Sequence, residues 1–581
     1  MAELSIVNYA GAPAARDTLG SRINRSLLIQ VALAVVTIVV VFAPIAPILY
    51  QSFIDRQLYE ASAAITTQNY VNLFSKPQIW KVLWNTLLFA GATTVIAQII
   101  GTVLAILIGR TDLPGRSWFG DIILFPMFLS HLVLAFGWFI AYGPSGYVTA
   151  WFGSSFGGDA PWNLYSLTGM AFIGGISQAP LAFLYCQAST ALSDPSLEQA
   201  ARSCGAGPVR TLWRVTMPML LPAILSSGIL TATSAIEMLA IPLIFGQPAG
   251  IDLFTTFLYE QGITTPRPDY GLVATAATFM LLLVVALVFA QSRILRNSSR
   301  YISVTGKVNK PRIFELGRYR WIAFGVVGTY ALLFCVAPIL FLLLRALVPM
   351  LSPLAPFWDL LTLQFLREVL TVDNYVTSIV NTLLISVVGA AAGTVFIALV
   401  AILGERSTVW FGPPLKYIAL FPRAVPGLIA GLGFFYAMTF LPGMSLLQNS
   451  IWLLAIAYVM RHIPTGYGSI SPSLLQIGPG IDRAATISGA DWWTTVHSIL
   501  LPIMRPALFA CFSLLFIQFF KEYTVALFLF SPDTEVIGVT LLRRWGQGEV
   551  ARVAALSTVQ VATTIAFIFV TRRFLGVKFH G

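Results

Sequence analysis

Runs of about 20 or more consecutive apolar residues recur along the chain, beginning with LLIQVALAVVTIVVVFAPIAPILY directly after Ser26. A helix of about 20 residues crosses roughly 30 Å of hydrocarbon. The runs lack the apolar/polar alternation of an outer-membrane barrel, so each is expected to be a helix. Of the 581 residues, 57% are hydrophobic and 10% charged, which excludes a soluble globular domain and makes this an integral membrane protein. The first run exceeds a signal-peptide core and has no small-residue cleavage site behind it, so it is read as a span. Cys186, Cys204, Cys335 and Cys511 stand far apart with no metal-ligand or disulfide spacing, and read as packing residues.

The formal charge of +11 raises nucleic acid as a partner, but in a chain of spans the position of charge matters more than its sum. The stretch from Arg293 to Arg320 holds eight Lys/Arg and one acid. The positive-inside rule places it in the cytoplasm and leaves no call for nucleic acid. Walking outward gives twelve spans at about 27–50, 82–109, 118–142, 166–192, 218–246 and 270–292, then 321–345, 378–403, 417–440, 450–475, 504–530 and 554–571. The chain divides into an N-terminal segment (1–26), a first transmembrane domain (27–292), the basic linker (293–320) and a second transmembrane domain (321–581), with both termini expected inside.

The halves repeat. NYV at Asn69 to Val71 recurs at Asn374 to Val376, NTLL at Asn85 to Leu88 at Asn381 to Leu384, and LFP at Leu124 to Pro126 at Leu420 to Pro422. The matches keep order and membrane side, so the copies are parallel and a two-fold axis along the membrane normal should relate them. The expected fold class is all-α, about twelve transmembrane helices in two parallel six-helix repeats, with a pathway between the halves.

Between the fourth and fifth spans of each half the chain turns polar: EQAARSCGAGPVRTLWRVTMPMLLP from Glu198, and DRAATISGADWWTTVHSILLPIMRP from Asp482. Gly205 matches Gly489, Pro218 matches Pro502 and Pro222 matches Pro506. Each stretch reads as a short helix with a small face, capped in the first copy by Asp194 and ended by its glycine. The arrangement resembles the cytoplasmic loop of permease subunits of binding-protein-dependent ABC importers, Glu-Ala-Ala, three residues, then Gly. The cores here are Gln199-Ala200-Ala201 to Gly205 and Arg483-Ala484-Ala485 to Gly489, with the acid one residue earlier, Glu198 and Asp482.

The resemblance implies the type I importer permease fold with both domains fused, two coupling helices that dock two copies of an ABC ATPase subunit, and a periplasmic solute-binding protein on the outer face. It also implies a multi-pass protein in the lipid of a bacterial inner membrane. Stretches around Glu237, Arg267 and Lys521 are similar to the fused permeases of the ferric-iron import group, which is itself similar to thiamine, aminoethylphosphonate and polyamine permeases.

No Gly-x-x-x-x-Gly-Lys-Ser/Thr loop, His-Glu-x-x-His, Cys-x-x-Cys or Ser-centred nucleophile motif occurs. The chain is therefore expected to be a transport subunit without cofactor, ATP and Mg belonging to the partner ATPase. A charged residue costs about 2.5–3.5 kcal/mol at a helix centre unless it faces protein or water. The ionisable residues within spans, His131, Glu237, Arg423, Arg461, His462, Lys521 and Glu522, are therefore expected to line the pathway.

By the repeat, Glu237 falls on Lys521, and Ser177 and Gln178 fall on Arg461 and His462. Structural roles compete: a Glu237–Lys521 pair between halves, snorkelling of Arg423, and packing of His131. Arg423, Arg461 and Lys521 outnumber Glu237 and Glu522, which predicts a field favouring an anion. Two other classes stay open on these residues, a secondary transporter using Glu237 as a proton site and a membrane scaffold or channel.

Overall fold

The computed structural model describes residues 19–296 and 313–575, apart from 58–59, 61–62, 193–194, 354–355 and 442. The expected cap Asp194, most of the N-terminal segment and most of the basic linker lie outside the described residues. Within them the chain is helical, and strand pairing is limited to isolated bridges, Ile54 with Ile65 and Thr111 with Phe314.

Nine helices among the described residues are long and apolar enough to cross a membrane. Two bent pairs, Gly412–Ala424 with Gly427–Phe440 and Trp492–Ile503 with Arg505–Lys521, bring the number to eleven. The tenth expected span, Ile451–Gln476, is a helix of 26 residues. It is as long as its neighbours, and its apolar character is interrupted at mid-length by Arg461 and His462.

The second span, Pro77–Arg110, shows how such an element is bounded. Pro77 sits at its start, where a missing N–H leaves nothing unpaired, and Arg110 stands in its last turn, where a cation complements the helix dipole. It packs on the fourth span, Leu167–Leu192, and the fifth, Met217–Ile236. Gly101 lets the second and fourth spans meet at their backbones: a Cβ there would lie 2.7 Å from the carbonyl oxygen of Ala179. Small residues at such crossings are what permits dispersion contacts between helices in lipid.

The third and ninth spans, expected as continuous helices, are broken. Arg116–Leu124 passes through a 3-10 turn, Phe125–Phe128, before His131–Tyr142 begins. Gly412–Leu420 passes through Phe421–Ala424 before Gly427–Phe440, with a bend of 109°. Pro126 and Pro422 open these turns and lack the N–H that would continue an α-helix. The repeated LFP marks both breaks. In the first copy the Ser130 hydroxyl caps the restarted helix, accepting the Val133 N–H at 3.2 Å.

The two halves cross arms. The first span, Leu19–Phe42 continued by Ile45–Ser52, packs on the ninth; the seventh, Arg320–Tyr330 through Ala337–Leu347, packs on the third. Both crossings use the same contact. Gly433 lies against the backbone of Pro44, and a Cβ on Gly137 would stand 2.7 Å from the carbonyl oxygen of Pro338. An Ala-Pro-Ile repeat at 43–45 and 337–339 supplies both prolines.

Candidate functional site

The fifth and eleventh spans stop short inside the bundle. Met217–Ile236 ends with Glu237 as its C-cap, and Arg505–Lys521 ends with Glu522 as its C-cap. The repeat in sequence set Glu237 on Lys521. In the structure the two glutamates occupy corresponding helix ends, because the second helix runs one residue further past its proline before the chain turns.

Arg461, on the tenth span, reaches both acids. Its Nη2 lies 3.2 Å from Glu237 Oε2 and its Nε 3.1 Å from Glu522 Oε2. The first contact joins the two halves. Glu522 Oε1 accepts the Thr524 N–H at 2.9 Å and the Thr524 hydroxyl at 2.6 Å, so this carboxylate also caps the segment leaving the helix. His462 Nε2 stands 3.4 Å from Glu522 Oε2.

The Glu237–Lys521 pair weighed from the sequence does not form. Lys521 Nζ donates instead to the carbonyl oxygen of Met127 at 2.9 Å, reaching into the 3-10 turn where the third span breaks. A broken helix leaves carbonyls for a cation to satisfy, and the planar fork of arginine suits two carboxylates better than an ammonium does.

These groups surround a cavity of about 290 Å³ between the halves. Of the residues singled out in the sequence, His131, Ser177, Gln178, Glu237, Arg461, His462, Lys521 and Glu522 all line it. His131 and Gln178 face each other at 3.4 Å.

Arg423 does not line the cavity. It is exposed on the 3-10 turn of the ninth span, which the sequence read as unbroken helix. Without it, Arg461 and Lys521 stand against Glu237 and Glu522. The formal charges of these four residues balance, so the excess of cations expected from the residue count does not line the cavity.

Several positions were missed. Ser130, Ser234, Gln518, Tyr523 and Thr524 line the cavity, and Gly427 lies under the Arg461 guanidinium so closely that a Cβ would overlap it. The Pro-Gly step at 426–427, just after LFP and its arginine, was the available signal. Nη1 of Arg461 is buried with no hydrogen-bond partner among the described residues. Also among the described residues, no group of three or more His, Cys, Asp or Glu is placed to hold a metal ion.

The second feature is the pair of short helices between the fourth and fifth spans of each half, Pro195–Ser203 and Gly480–Ile487. Gly205 (φ +83°) and Gly489 (φ +80°) end them in the left-handed region, where glycine avoids the Cβ penalty. The closing bonds coincide: Ala206 N–H to Ala201 O and Ala490 N–H to Ala485 O, each 3.0 Å. One face is exposed in both copies, Gln199, Ala200, Ser203 and Cys204 in the first, Arg483, Ala484, Ile487 and Ser488 in the second. Ala201 is half-buried and Ala485 buried on the other.

Glu198 and Asp482, named from the sequence as possible acidic contacts to a partner, are engaged within the chain. Glu198 is buried, 3.4 Å from Arg110 Nη1, and accepts the Thr216 hydroxyl at 2.9 Å. Asp482 lies 2.6 Å from Arg406. The described end of the linker joins the first of these sites: Phe314 N–H donates to Arg110 O at 2.7 Å, and the Arg202 guanidinium sits 4.5 Å over the Phe314 ring.

The family described as binding-protein-dependent transport system inner membrane component matches the chain over two stretches, residues 99–301 and 393–577. The chain belongs to this permease family. Each match contains one glycine-ended helix, so the permease is two family domains in one polypeptide, a transport subunit embedded in the inner membrane.

The permease is similar to the ferric transport system permease protein FbpB of Actinobacillus pleuropneumoniae, 24% identical over 520 residues that cover 86% of this chain and 72% of that one. It is similar also to the Fe(3+)-transport system permease protein FbpB 2 of Haemophilus influenzae, 24% identical over 512 residues, 87% of this chain and 92% of that one. Among solved structures, a chain of a bacterial alginate ABC transporter in complex with an alginate pentasaccharide-bound periplasmic protein matches at 21% identity and a TM-score of 0.40, over 50% of this permease and 100% of that chain.

Proposed function

We propose that this permease carries ferric iron, delivered by a periplasmic binding protein, between its halves into the cytoplasm, driven by ATP hydrolysis on two partner ATPase subunits. The observation that carries the partner reading is the doubled glycine-ended helix: two exposed helix faces of matching geometry present one docking surface to each of two ATPase copies. In this reading those helices, the linker and both termini are cytoplasmic. ATP and Mg are bound by the partners.

Iron is supported by the names of the relatives that align over most of the chain. The balanced cavity is compatible with it, because a pathway must release its solute as readily as it admits it. With no three-ligand group among the described residues, selection of iron would rest with the binding protein and the cavity would only pass the ion. A second reading, an organophosphonate such as aminoethylphosphonate, draws support from the buried unpartnered Nη1 of Arg461, a donor suited to an anionic oxygen.

ATP hydrolysis by the permease reconstituted with its ATPase separates the two. The binding protein is added loaded in turn with ferric iron, aminoethylphosphonate, thiamine and a polyamine. Stimulation by the ferric form alone is the expected result. Stimulation by another ligand replaces iron, and co-assembly with no ATPase removes the importer reading.

A further inference from the structure

The acids of the two docking helices point away from the face that a partner would meet. Each is held by an arginine at the end of the second span of its own half, Glu198 by Arg110 at the end of Pro77–Arg110 and Asp482 by Arg406 at the end of Ala390–Arg406. The two sites reach this geometry by different local means. The Thr216 hydroxyl supports the first, and Arg406 donates to the carbonyls of Leu474 and Ile477 in the second.

From these arginines a packed route leads to the cavity. In the first half Gly101 of the second span abuts Ala179 and Ala182, beside Gln178. In the second half Gly393 abuts Val459, two residues from Arg461, and the backbone of Gly466 packs on Ile397 and Cys511. Glycine contacts of this closeness leave little room for one helix to move without its neighbour.

We infer that Arg110 and Arg406 are positioning residues for transport: they fasten each docking helix to its second span, so that a displacement imposed by the ATPase reaches the cavity rather than being absorbed in the loop. This rests on the ATPase reading proposed above. The exposed face of each helix does the docking, and the buried face with its acid does the transmitting.

The test uses the full permease with its ATPase in a hydrolysis-deficient form, in nanodiscs. Fluorophores are introduced through non-natural amino acids at Phe156 and Leu446, exposed positions following the third and ninth spans, and energy transfer between them is read with and without ATP. Arg110→Met and Arg406→Met should bind the ATPase as the unaltered permease does. The population responding to ATP should fall about tenfold, within the range of measured couplings between sites.

The exchanged pair Arg406→Asp with Asp482→Arg should restore the response. Because Asp482 remains a third exposed in its pair, Arg406→Met carries the test alone if the buried Arg110→Met variant does not fold. An unaltered ATP response in Arg406→Met with ATPase bound overturns the inference. Failure of the unaltered permease to bind the ATPase overturns the proposed function instead.

Discussion

Arg461 holds two carboxylates at the cavity, one of them across the interface between halves. Removing one member of a buried charge network leaves the others unpaired, at about 3–5 kcal/mol. Arg461→Met is therefore expected to lower the melting temperature of the purified permease markedly, with Arg461→Lys intermediate because an ammonium cannot reproduce both contacts in one plane. Equal melting of all three proteins would show that the bridge contributes nothing. Gly427→Ala probes the same guanidinium from below. A Cβ there meets Arg461 and Thr524, so overpacking should cost about 1–3 kcal/mol, again read by melting. At this scale the sequence pointed to every acidic, basic or histidine residue now seen lining the cavity, and to Arg423 outside it, because a charge inside an apolar run is conspicuous. It did not show which charges meet. Lys521 finds its partner in a carbonyl freed by a broken helix, and Arg423 is removed from the cavity by the corresponding break, neither of which the residue types announce.

The glycine-ended helices are the elements that the sequence described best, since spacing, proline and glycine all act locally. Both glycines have nearly the same positive φ, and an L-residue there costs about 1–2 kcal/mol. Gly205→Ala and Gly489→Ala are thus expected to speed amide exchange at Ala206 and Ala490 by similar factors. A change confined to one copy would contradict the equivalence of the two turns. The broken third and ninth spans were legible only in part. LFP was visible as a repeat, but a proline within an apolar run can kink a helix or end it, and the choice is made by what packs on the break. Here the crossing first and seventh spans pack on the restarted helices, through Pro44 at Gly433 and Pro338 at Gly137. Gly137→Val should weaken the hold of the seventh span on the third, seen as faster proteolysis between residues 313 and 320. Unchanged cleavage would mean that this contact is dispensable.

For the whole molecule, the division into two parallel halves was readable from order-preserving repeats, whereas the crossing of their first spans was not, because contact between distant segments leaves no periodic trace. The crossing ties each half to the other through Pro44 at Gly433 and Pro338 at Gly137. Cys204 is exposed just after the first glycine-ended helix, while Cys186, Cys335 and Cys511 are buried. A maleimide should therefore modify the isolated permease at Cys204, and bound ATPase should protect it; modification unaffected by ATPase would place docking elsewhere. The most direct measurement is solute entry into vesicles that hold the permease and its ATPase, with ferric-loaded binding protein outside. Entry that requires ATP at the ATPase and ceases when the ATPase is omitted is the predicted result. Entry that follows an ion gradient without ATPase would contradict the account and make Glu237 a proton site in a secondary transporter.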